Sequence, residues 1–141
     1  MSEVGTAAAK RTSRLRCVAD ILLPGTPNAP AATALTNFDQ LLTTAVKALG
    51  SESILLDQAL RRLPETLNWD ALKRFAETDR DSFELISTTV VGAYFMSLEA
   101  LQSIGYRTGP RRAAPFDQAA DELGSGILEP VLNRDSTLRT V

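Results

Sequence analysis

The residues that most often do chemistry are scarce in this chain of 141 residues. There is no histidine, which removes the commonest general base and metal ligand. One cysteine, Cys17, excludes an internal disulfide and supplies no redox or metal motif. Asp117, Asp121 and Glu122 share one side of a weak helical stretch and read as solvated rather than as a cation site. Gly124-Ser125-Gly126 follows no strand, so it is a linker and not a phosphate cradle. No Gly-x-Ser-x-Gly elbow occurs, and the Ser and Thr hydroxyls lack a partner base. The chain is therefore expected to have no catalytic, cofactor or metal residues of its own.

Composition points to one small helical domain. Hydrophobic residues make up 44%, an ordinary globular share, and the formal net charge is -2. That balance gives no general bias toward nucleic acid or anionic membrane, and no segment reads as a basic recognition helix. No apolar run is long enough to span a membrane. Neither a signal peptide nor a starting twin-arginine pair is visible, which favours a cytoplasmic setting.

The apolar spacing is helical throughout, and the expected fold is all-α: a small irregular bundle of about five helices with an extended C-terminal tail. Residues 1–9 are expected to be mobile, 10–105 to form the helical domain and 106–141 the tail. A first helix over about 8–23 carries Leu15, Val18, Ile21 and Leu22 on one face and stops at Pro24. Cys17 is placed on that face, buried and inert, with an intermolecular disulfide as the other reading. Lys10, Arg11, Arg14 and Arg16 make this end locally positive, as a solvated face or as contact for an acidic patch on a partner.

Residues 25–31 read as an ordered loop. Thr36 or Asn37 caps a second helix to about Leu49, with Phe38, Leu41, Leu42, Ala45, Val46 and Leu49 on one face. A third runs over 54–63, ended by Pro64, with Leu56, Ala59, Leu60 and Leu63 inward. Asn68 caps a fourth over 69–78, in which Trp69 is expected as a core anchor.

The longest helix is expected from Ser82 to Ile104, entered by a capping box of Asp81 and Glu84. Its apolar residues surround so much of the circumference that it needs cover on several sides. Gly92 in its middle is expected to admit a close backbone neighbour, and Gly105 to end it in the left-handed conformation. Tyr94 and Tyr106, each apolar with a polar handle, are the better candidates for contact outside the chain. Beyond 105 the apolar residues are scattered among five arginines and five acids. Short helices around 116–123 and 127–132 are the only regular structure expected there. Such a tail is either disordered or laid across a partner.

Two landmarks resemble the gluconate 2-dehydrogenase subunit 3 family. One is Val18-Ala19-Asp20-Ile21-Leu22-Leu23-Pro24, an apolar helix ending in Leu-Leu-Pro. The other is the aromatic pair Tyr94-Phe95 after small residues, then a helical turn, Ile104-Gly105-Tyr106 and Gly109-Pro110. The resemblance covers roughly residues 15–110. It implies a small helical subunit, without a cofactor of its own, that binds and stabilises a large FAD-dependent dehydrogenase of the glucose-methanol-choline (GMC) oxidoreductase type, acting on CH–OH groups. Tyr94, Phe95, Tyr106, Gly109 and Pro110 would then touch that partner, with Arg107, Arg111 and Arg112 as a polar rim, and the C-terminal tail would wrap it. Many members carry an export signal, and its absence here favours a cytoplasmic complex. The alternative is a free-standing helical protein-interaction or regulatory module, as a single chain or a homodimer.

Overall fold

The computed structural model describes residues 2–107, 109 and 117–133. Among them the chain is all-α, with no strand; a lone bridge joins Thr26 and Ala29. Two units are distinguished, Met1–Thr108 and Gly109–Val141.

In the first unit, α1 (Ser2–Leu22), α2 (Phe38–Ala48), α3 (Ser53–Arg62) and α4 (Trp69–Thr78) all pack on α5 (Arg80–Phe95), and α6 (Leu98–Ser103) follows it. The expectation of a central helix with cover on several sides holds. Its buried stripe is Ile86, Val90, Ala93 and Tyr94. Around it lie Leu15, Val18 and Ala19 of α1, Phe38 and Leu42 of α2, Leu56 and Leu60 of α3, and Leu72 and Phe75 of α4.

Several element ends differ from the sequence reading. Helix α1 begins at Ser2, so residues 2–9 are helical where a mobile segment was expected. Ala7, Ala8 and Ala9 explain this: alanine has the highest intrinsic helix propensity, and these turns need no burial to form. The described side chains from Gly5 to Lys10 are indeed all exposed. Helix α5 begins two residues early, because Asp79 rather than Asp81 caps it and accepts from the Ser82 N–H at 3.3 Å. The Asp79 carboxyl is held below its ordinary pKa, chiefly by the Ser82 side chain; desolvation opposes this, and the Ser82 backbone N–H and Arg62 add to the lowering. The stabilisation this contributes is therefore present above the ordinary carboxylate pKa and lost as pH falls through the lowered value.

The expected single helix over 82–104 is two helices. Ser97 has extended backbone angles and its hydroxyl accepts from the Ala100 N–H, which makes it the N-cap of α6. Gly105 ends α6 with φ +76. Its N–H donates to Gln102 and the Tyr106 N–H donates to Leu101, both at 3.0 Å, a Schellman arrangement.

The arginines of α1 serve the bundle. Arg11 donates two hydrogen bonds to Asp57 on α3, both 2.6 Å. Arg16 reaches Asp39 on α2 at 2.6 Å, and Arg14 donates to the carbonyls of Leu63, Pro64 and Glu65. At their partial exposure each ion pair is worth about 1 kcal/mol or less, so these contacts fix geometry more than stability.

Cys17 is exposed, contrary to expectation. At about 100° per residue it lies roughly 200° from Leu15, on the far side of α1 from the buried stripe. A thiol reagent is therefore expected to modify Cys17 in the native chain about as fast as in the unfolded chain; protection by more than about tenfold would place it inside.

In the second unit, α7 (Gln118–Gly124) and α8 (Glu129–Leu132) are short. Leu123, Ile127, Leu128, Val131 and Leu132 are all exposed there.

Candidate interaction surface

Helix α5 has two unlike sides. Taking Ile86 as the buried direction, Val90 and Ala93 fall within about 40° of it, and Tyr94 about 80° away. Thr88, Gly92, Phe95 and Met96 fall between about 180° and 280°, and all four are exposed. The apolar character continues past the break into α6 and the turn that follows. Phe95 is 37% exposed, Met96 44%, Leu98 64%, Ile104 60% and Tyr106 61%. A single exposed apolar side chain needs no explanation, but a succession of large ones within one segment of the chain makes that segment the candidate interaction site.

The residues expected at a partner contact separate in the structure. Tyr94 is not available to an outside partner: it is 4% exposed, and its hydroxyl donates to the Pro30 carbonyl at 2.8 Å. Its polar handle is used by the loop after α1, which satisfies the hydroxyl and explains how a tyrosine can sit in the core. Phe95 stands edge-on to the Tyr94 ring with centroids 5.1 Å apart, so the buried tyrosine sets the direction of its exposed neighbour. Tyr106 and Arg107 are exposed in the first unit, and Gly109 is exposed in the second. Pro110, Arg111 and Arg112 lie outside the described residues.

Met96, Leu98 and Ile104 are exposed in the same segment and were not among the residues expected at the partner contact. In one unbroken helix over 82–104, Leu98 and Ile104 would continue the spacing of Ile86, Val90 and Tyr94. The signal that could have separated them is Ser97-Leu98-Glu99, a capping residue followed by an acid in the first turn.

Trp69 is also outward, 62% exposed, where a core anchor was expected. It is the first residue of α4, one turn before Leu72, and the helix meets the bundle through Leu72 and Phe75. Ile54 and Leu55 are exposed in the first turn of α3.

Gly92 has no close backbone neighbour, again contrary to expectation: a Cβ built there meets no atom within 4 Å. Among the described residues, the mid-helix glycine therefore has no packing reason. Gly92→Ala is expected to stabilise the isolated protein by about 0.5–1 kcal/mol, since alanine restricts the unfolded chain and nothing obstructs its methyl. Thermal denaturation of the two chains measures this, and a destabilised variant would show that something does occupy the space.

Among the described residues, no three His, Cys, Asp or Glu side chains stand together as a metal site. None of the described helices is long and apolar enough to cross a membrane. No buried side-chain nitrogen or oxygen among the described residues lacks a hydrogen-bond partner. What this surface offers is apolar area and shape. No protein-family model, curated protein or solved structure matches the chain.

Proposed function

We propose that this chain is a non-catalytic small subunit that binds and stabilises a larger oxidoreductase of the FAD-dependent GMC type. The observation that carries the binding role is the exposed apolar run Phe95, Met96, Leu98, Ile104 and Tyr106 at the end of the central helix. The type of partner is proposed from the resemblance in residues 18–24 and 94–110. FAD and the oxidation of CH–OH groups would belong to the large subunit. A partner that binds only the native large subunit stabilises it by RT ln(1 + [L]/Kd), about 2.7 kcal/mol at a hundredfold excess over Kd.

The test is co-expression with a GMC-type oxidoreductase from the same genome. A complex is expected on gel filtration, with flavin retained by the large subunit only when the small one is present. Replacing Leu98 and Tyr106 together with glutamate should abolish the complex while leaving the helical circular dichroism of the small chain unchanged. A large subunit that is soluble, flavin-loaded and active alone, with no complex formed, would overturn the proposal. A tight homodimer dispersed by the same double substitution would assign the surface to a second copy instead.

A further inference from the structure

A different face of the bundle carries a concavity of about 480 Å³ between α1 and α3. Its charged lining is Lys10, Arg11 and Arg14 from α1 with Asp57, Arg61 and Glu65 from α3 and the turn after it. The charge is locally positive on a chain whose net charge is -2. Arg11 and Asp57 cancel through their paired hydrogen bonds. Arg14 keeps its charge, because its partners are the neutral carbonyls of residues 63–65. Lys10 and Arg61 are exposed on opposite walls, and neither forms an ion pair among the described residues. Against these three cations stands the single carboxylate of Glu65. Leu60 and Leu63, both anchored in the core, lie between the walls.

We infer that this groove docks an acidic peptide segment of a partner protein, with carboxylates spaced along the chain and an apolar side chain between them. Three features favour a peptide over a compact anion such as phosphate. The free cations stand on separate walls, so they suit charges spread along a chain. The best donors, on Arg11 and Arg14, are already used within the bundle, so little is left to converge on one oxyanion. The walls are the body of α1 and the last turns of α3, so no helix N-terminus supplies the N–H cluster by which phosphates are usually held. Steering by Lys10 and Arg61 with apolar contact between them makes the docking weak and dependent on salt. The inference concerns a surface separate from Phe95–Tyr106 and holds whatever protein covers that stretch.

The test uses the full chain, labelled with nitrogen-15, and two probes: the blocked peptide Glu-Leu-Glu-Glu-Leu-Glu and inorganic phosphate. Saturable amide shifts in 10–14 and 60–65 are expected with the peptide at low salt, weakened several-fold at about 0.2 M salt, where screening is strong. Lys10→Glu with Arg61→Glu should weaken peptide binding at least tenfold at unchanged melting temperature. Should that pair unfold the chain, Lys10→Ala with Arg61→Ala carries the test, with an expected loss of about threefold. The inference is overturned by absence of saturable shifts, by equal shifts with phosphate alone, or by charge-changed chains that bind the peptide as well as the native one.

Discussion

Replacing Phe38 with alanine is expected to lower stability by about 3–5 kcal/mol, the range for an aromatic ring removed from a closed core. Phe38 is the largest side chain with no exposure among the described residues, and it opens α2, which packs along α5. Its backbone N–H is fixed by the Leu35 carbonyl at 3.2 Å, so the helix start cannot easily slide to fill the void. Domains of this size are stable by about 5–15 kcal/mol, so such a loss leaves little reserve. The melting temperature should fall by roughly 10–20 °C. Urea denaturation followed by circular dichroism measures the change. Phe38→Leu, which retains most of the volume, should lose less than half as much. A loss below about 1 kcal/mol for the alanine variant would mean that α2 is not part of the cooperative core.

Gly25→Ala is the second large effect, and it acts through the backbone. Gly25 has φ +86, and a Cβ there would stand 2.7 Å from the Ala31 nitrogen and 3.1 Å from its Cα. The loop cannot open freely. Ala32 donates to the Leu23 carbonyl, Thr26 and Ala29 bond to each other, and the Pro30 carbonyl accepts from Tyr94 across 64 residues of sequence. A methyl at residue 25 pushes on residue 31 and pulls the adjacent Pro30 carbonyl away from a buried hydroxyl. Left-handed strain of about 1–2 kcal/mol and a weakened buried hydrogen bond of about 1 kcal/mol together give an expected loss of about 2–3 kcal/mol. Gly50→Ala is the control: its φ is +57 and nothing lies within 4 Å of the added methyl. Only the strain should remain there, about 1 kcal/mol. Equal losses at the two glycines would show that the loop yields around residue 25.

Local signals were legible in the sequence where local chemistry decides the structure. Asn68 gave α4 its observed start, and its side chain accepts from the Ala71 N–H at 2.8 Å. Leu56, Ala59, Leu60 and Leu63 are all buried, as their spacing required, and Gly105 ends α6 with positive φ. What escaped depends on partners distant in sequence or on exact helical phase. The burial of Tyr94 needs Pro30, and no periodicity announces that pairing. Cys17 was misplaced by an error of phase, because it follows the stripe residue Leu15 by two positions rather than three or four. Trp69 is outward because α4 begins there, before the turn that meets the bundle. The break at Ser97 matters most for the interaction surface. A stripe continued through it sends Leu98 and Ile104 inward, whereas the new helix directs them to the surface.

That surface is tested most directly by amide hydrogen exchange on the small chain, alone and co-purified with a GMC-type large subunit. The proposal predicts that residues 95–106 exchange rapidly in the free chain and at least tenfold more slowly in the complex, while α2 and α3 change little. Unchanged exchange across 95–106 in a chain that demonstrably forms the complex would contradict it.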